Sequence, residues 1–159
     1  RSMDKTRRLL LLQALSTSAL AGQGAGRDWP QIELLDGGSL APAHWQDRAA
    51  VLVFFATHCP FCRRHNQHVE KLHRASQGLR LQVLGAALDR EPAVVRSYLA
   101  KAGYSFPVTM QGPSLRPLFS PRAVMPLTVA IDRRGAVHAV VPGEMFEEDV
   151  LELLALAKA

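Results

Sequence analysis

The run from Ala50 to Ala56, AVLVFFA, leads at once into Thr57-His58-Cys59-Pro60-Phe61-Cys62. An unbroken string of β-branched, aromatic and small apolar residues has no polar face. It suits a strand covered on both sides by other layers. Pro60 fits the first position of a helix, where its missing N–H would have had no partner. A helical stretch then extends from Phe61 to about Ser76 and is stopped by Gly78. A doubly buried strand that passes directly into a helix requires sheet neighbours on its edges and helices on its faces.

The remaining sequence supplies those parts. Gln31–Leu35 reads as a short strand closed by the Asp36-Gly37-Gly38 turn, and Ser39–Asp47 as a connection. Leu79–Leu88 reads as a second buried strand. Glu91-Pro92 opens a helix that runs to about Ala102 and ends at Gly103. Phe106–Met110 is a brief extended piece, and Ser114–Phe119 a short helix. Leu127–Ile131 is a third core strand, and Asp132-Arg133-Arg134-Gly135 turns it into Ala136–Val141, a hairpin pattern. Glu147–Lys158 is the last helix, with acids in its first turn, where the helix dipole favours them. The predicted class is α/β, with an antiparallel hairpin at one end.

Composition narrows the function. Of 159 residues, 48% are apolar and 21% charged, which is ordinary for a folded domain and argues against disorder. The net charge of +5 is scattered over pairs such as Arg7/Arg8, Arg63/Arg64 and Arg133/Arg134. No basic stripe is interleaved with aromatics, so nucleic acid is not an expected partner. The chain has two cysteines, separated by two residues. A structural zinc site would need further Cys or His ligands at suitable spacing, and a disulfide scaffold would need more cysteines. A lone Cys-x-x-Cys points to redox chemistry, with the Cys59–Cys62 disulfide itself as the redox group and neither a separate cofactor nor a metal expected.

The position of the pair carries that reading further. Cys59 falls where the strand ends and the helix begins, which makes it the helix N-cap. The free N–H groups of Phe61 and Cys62 then point towards its sulfur, and with the helix dipole they favour a thiolate. Cys59 is therefore the expected attacking nucleophile. Cys62, one turn on, is the expected buried, resolving thiol that breaks the mixed disulfide with the substrate.

The segment VLVFFATHCPFCRRHNQHVEKL resembles the active-site strand and helix of thioredoxin-like proteins. The stretches LQVLGAALDREPAVVRSYLAKAGYSFPVTMQG and PLFSPRAVMPLTVAIDRRGAVHAVVPG resemble the TlpA/ResA branch of exported members, over nearly the whole chain from Trp29 onward. The resemblance implies a central mixed sheet flanked by helices. It implies that Pro126 is a cis-proline facing the Cys pair and that Met125 offers its backbone and a soft side chain to an extended substrate. Pro60, Phe61 and His58 complete the expected supporting set.

The chain departs from the family pattern in its proton-handling groups. Val53 stands where many relatives have a buried acid, His65 where ResA-like proteins often have a glutamate, and His58 where a tryptophan is usual. A protonated His58 would further stabilise the Cys59 thiolate; the alternative is simple packing at the helix mouth. His65 is expected to be an exposed or partly buried helix residue, and His73 to be solvated. Cys59, Cys62, His65 and His68 recur every three residues, but each step of three falls about 60° short of a full turn, so the ends of the series diverge.

The N-terminus reads as a targeting segment. Arg1-Ser2, ahead of Met3, resembles a cloning scar. Lys5, Arg7 and Arg8 precede a mostly apolar stretch from Leu9 to Leu20, and Ala19-Leu20-Ala21 looks like a cleavage site. Residues 1–21 are expected to be an export signal, favoured as cleavable over an uncleaved anchor or an ordinary amphipathic helix. Residues 22–28 are then a linker and 29–159 a thioredoxin-like domain working in the periplasm. The leading expectation is a thiol-disulfide oxidoreductase acting as a reductase on protein thiols. Apocytochrome c or copper-site proteins are candidate partners, with a membrane or periplasmic electron donor. A disulfide-donating oxidase uses the same parts. A Cu(I) metallochaperone built on Cys59, Cys62 and His58 is the alternative of a different class. Glutaredoxin-like and peroxidase readings are discounted, the latter because Pro60 follows the cysteine instead of preceding it.

Overall fold

The computed structural model describes residues 27–158. The expected export signal and residues 22–26 of the linker lie outside them. The elements in chain order are β1 (Ile32–Glu33), β2 (Ser39–Leu40), a 3-10 turn at Pro42–Trp45, β3 (Ala49–Phe55), α1 (Pro60–Ala75), β4 (Leu81–Ala87), α2 (Pro92–Ala102) and β5 (Val108–Thr109). They continue with α3 (Gly112–Leu115), a 3-10 turn at Arg116–Leu118, β6 (Leu127–Ile131), β7 (Val137–Pro142), α4 (Glu147–Glu152) and a 3-10 turn at Leu153–Ala157. This is the thioredoxin-like α/β fold.

The main sheet has the order β5-β4-β3-β6-β7. β3 lies at its centre, parallel to β4 and antiparallel to β6. All seven of its residues are buried. Because side chains alternate across a strand, this one strand feeds two cores. Ala49, Val51, Val53 and Phe55 join Cys62, Val69 and Leu72 of α1 on one face. Ala50, Leu52 and Phe54 join Trp29, Ile32, Trp45 and Leu115 on the other. The absence of a polar face in AVLVFFA is thus the signature of a layer on each side.

Local chemistry sets the boundaries. Gly103 ends α2 in the left-handed conformation, at φ 71°, and lets its N–H reach back to Ala100. At Gly85 a β-carbon would stand 2.9 Å from the Phe106 ring, so the β4–β5 face closes only over glycine. Two expectations are corrected. Ser39–Leu40 is not a plain connection but pairs with β1 in a two-stranded ribbon; two residues are too short a run to show a period. The last helix is α-helical only to Glu152 and tightens to 3-10 over Leu153–Ala157.

Candidate active site

β3 ends at Phe55, and three residues, Ala56 to His58, lead to Cys59, which caps α1. The Cys59 N–H bonds back to the Ala56 carbonyl at 3.2 Å, and the Arg63 N–H closes the first helical turn on the Cys59 carbonyl. Cys59 is the N-cap, with φ −89° and ψ 115°, and Pro60 occupies the first turn. The Cys59 Sγ accepts a hydrogen bond from the Cys62 N–H at 3.3 Å. Of the two donors expected at that sulfur, only this one makes the bond. Both cysteines are in the dithiol state. Cys59 keeps 8% of its surface and Cys62 none, so of the two residues only Cys59 reaches solvent.

The Met125–Pro126 peptide bond is cis. The antiparallel register pairs Phe54 with Leu127, so Pro126 and Met125 continue alongside Phe55 and Ala56, at the end of β3 that carries the cysteines. Met125 packs against the core cluster that contains Cys59 and Cys62. The Gly143 N–H ties down the Pro126 carbonyl at 2.8 Å. Among the described residues, the N–H and carbonyl of Met125 have no hydrogen-bond partner. Phe61 is 56% exposed beside Cys59, and the Arg64 guanidinium lies 5.2 Å from the centre of its ring. Arg64 also grips Glu144 with two bonds of 2.8 and 2.9 Å, which fastens α1 to the segment after β7.

The titratable groups divide sharply. Burial, together with the Cys59 sulfur beside it, pushes the Cys62 thiol up to about 12. His65 is not the exposed or partly buried residue expected: its surface is fully covered. Three-residue spacing from Cys62 keeps it near the inner face of α1, where its Nε2 lies 3.4 Å from Thr128 Oγ1 and its Nδ1 has no partner. Burial, with a smaller contribution from His68, brings it down to about 4, so it is neutral at pH 7. Thr128 pairs with Val53 across the sheet, so His65 sits beside the strand position where relatives often carry an acid. His58 is exposed and makes no hydrogen bond to a described residue. His73 is half-buried and not simply solvated. His68 approaches Glu147 at 3.3 Å on the α4 side. Among the described residues no three His, Cys, Asp or Glu side chains are grouped to hold a metal ion.

Two supporting carboxylates escaped the sequence reading. Glu70 is buried on α1 and accepts bonds from the backbone N–H groups of Ser105 and Phe106, from the Ser105 hydroxyl and from Arg74. Burial works against its charge, but these donors outweigh it and hold its carboxyl below the usual range. Asp89, in the loop after β4, accepts from both the N–H and the hydroxyl of Thr57, two residues before Cys59. The spacing Asp89-x-Glu91 marks a helix start in the sequence, but gives no hint of a partner 32 residues earlier.

A buried central strand, a Cys-x-x-Cys at the following helix N-terminus and a cis-proline just before the neighbouring strand define a thioredoxin-like thiol protein. A family profile described as the AhpC/TSA family matches residues 25–139. The chain belongs to that family, and within it is a thiol-disulfide oxidoreductase. It is 27% identical over 128 residues to the thiol-disulfide oxidoreductase ResA of Halalkalibacterium halodurans, covering 80% of this chain and 72% of that one. It is 23% identical to the ResA of Geobacillus thermodenitrificans, covering 94% and 91%. A thiol:disulfide interchange protein of the thioredoxin family from Chlorobium tepidum has the same fold, with a TM-score of 0.74, 24% identity, and coverage of 82% of this chain and 93% of that one.

Proposed function

We propose that the Cys59–Cys62 pair is the redox centre and that the protein works as an exported reductase of protein disulfides. The observation that carries this reading is the asymmetry of the two cysteines: Cys59 stands at the helix N-cap with an N–H on its Sγ and keeps some surface, and Cys62 is fully covered. The Cys59 thiolate attacks one sulfur of a substrate disulfide. A Cys59–substrate disulfide forms and the other substrate sulfur leaves as a thiolate. Cys62 then attacks Cys59 Sγ, the second substrate sulfur leaves, and the Cys62 proton goes to it. The substrate gains two electrons and two protons, one from Cys62 and one from solvent, and the pair is left as a disulfide for an external dithiol donor to reduce.

Substrate docking rests on the opposite wall. The unpaired backbone of Met125 is free to take up an extended segment, and exposed Phe61 offers an apolar contact next to the sulfur. The reductase direction is favoured because strong oxidants are those whose dithiol form is heavily stabilised, whereas the Cys59 sulfur here accepts one backbone N–H. The N-terminal sequence supports export to the periplasm, and the resemblance supports assembly partners such as apocytochrome c or copper-site proteins. The test is the reduction potential of the pair together with turnover of insulin disulfides. A potential near that of thioredoxin, about −270 mV, or lower is expected. A value near about −120 mV would assign the oxidase role instead.

A further inference from the structure

The geometry at Cys59 depends on a short loop that has little to hold it. Between the end of β3 and Cys59 stand Ala56, Thr57 and His58, and the one backbone bond closing this turn is Cys59 N–H to the Ala56 carbonyl. Thr57 is buried, so its N–H and hydroxyl both need partners. One carboxylate serves both. Asp89 Oδ1 accepts the Thr57 hydroxyl at 2.5 Å, and Oδ2 accepts the Thr57 N–H at 3.1 Å. Asp89 is itself well placed: β3 and β4 run parallel in register to Phe55 and Ala87, and the Leu88 N–H bonds to the Phe55 carbonyl at 2.9 Å. The carboxylate therefore extends the sheet ladder by one more rung, beyond the point where backbone pairing ends.

We propose that Asp89 is a positioning residue for the exchange reaction. It acts through Thr57, and sets the orientation in which the Cys59 Sγ meets the Cys62 N–H. This rests on the reading of Cys59 as the attacking thiol. Without the carboxylate, two buried donors of Thr57 lose their partner, the turn relaxes, and the 3.3 Å bond that favours the thiolate is no longer held.

The test compares Asp89→Ala with Asp89→Asn in the full chain. Both remove the same negative charge, but the amide keeps both contacts, its oxygen accepting the N–H and its NH2 donating to the hydroxyl. His58, Arg63 and Arg64 are unchanged in both, so their charges cancel. The readout is the pH profile of Cys59 alkylation by iodoacetamide, located by mass spectrometry, with near-UV circular dichroism as the check on folding. In Asp89→Ala the midpoint is expected to rise by about one pH unit, and the rate at pH 7 to fall about three- to tenfold, the smaller figure allowing for the higher intrinsic nucleophilicity of a more basic thiol. Asp89→Asn is expected to stay within about twofold of the parent. An unmoved midpoint in both variants overturns the proposal, as does an equal displacement in both, which would report charge alone. If Asp89→Ala does not fold, Thr57→Val removes only the hydroxyl contact and is expected to move the midpoint in the same direction; no movement overturns the proposal. Insulin turnover by Cys59→Ser separates the two levels: retained turnover overturns the reading of the pair itself, whereas lost turnover beside an unmoved Asp89→Ala overturns the clamp alone.

Discussion

His65 gives the fold an acid sensitivity that a leucine at the same position would lack. Its imidazole is fully covered and sits at about 4, against 6.5 for a free side chain, mainly because burial penalises the charged ring. The sign follows from linkage: a base held neutral in the fold takes up its proton more readily when unfolded, so stability is full above pH 6.5 and falls as the pH drops towards 4. At pH 5 the unfolded chain is mostly protonated at this residue and the native chain is mostly not. The difference between pH 7 and pH 5 is then about 2 kcal/mol, at about 1.36 kcal/mol per decade of proton affinity. His68 and Glu144 are the titratable groups that face it, with opposite effects. Urea unfolding of the parent and of His65→Leu, followed at both pH values, isolates this residue from others that titrate, including Glu70. The parent is expected to lose about 2 kcal/mol more than the variant on going to pH 5. Equal losses in the two proteins would refute the assignment of a buried, neutral imidazole.

Three further outcomes are expected. Iodoacetamide between pH 6 and 8 should modify Cys59 and leave Cys62 essentially unlabelled, since burial holds the Cys62 thiol near 12; peptide mapping with comparable labelling of both would contradict this. Glu70→Ala should cost about 2–3 kcal/mol in urea unfolding, because it orphans the N–H groups of Ser105 and Phe106; a loss under about 0.5 kcal/mol would show that water replaces the carboxylate. Gly85→Ala should destabilise by about 1–3 kcal/mol through contact with Phe106, Phe55 and Val108, measured the same way, and a neutral result would mean that the rings yield.

The parts of the fold visible in the sequence are those with long, uniform patterns. AVLVFFA announced a strand buried on both faces, because no polar residue obscures the run, and LRLQVLGAAL a second buried strand in spite of Arg80 and Gln82. The site was legible for a related reason: a cysteine and a proline at a strand-to-helix junction can be placed by capping rules alone. What stayed hidden depends on contacts between distant segments. Nothing local distinguishes His65 from the exposed His58, because burial of a single polar residue is decided by distant segments such as β6, whose Thr128 lies beside His65. Asp89 and Glu70 look like ordinary surface acids until the parallel register brings Asp89 to Thr57 and the turn after α2 brings Ser105 to Glu70. The two-residue strand β2 was too short to carry a period, whereas β1 falls within the expected strand at Gln31–Leu35.

The proposed roles, with Cys59 attacking and Cys62 resolving, are tested most directly by trapping a mixed disulfide. Cys62→Ser, reduced and mixed with a disulfide-bonded protein substrate, should accumulate a covalent adduct through Cys59, seen on non-reducing gels and located by mass spectrometry, while Cys59→Ser should accumulate none. An adduct in Cys59→Ser of comparable yield, or none in Cys62→Ser, would contradict the assignment.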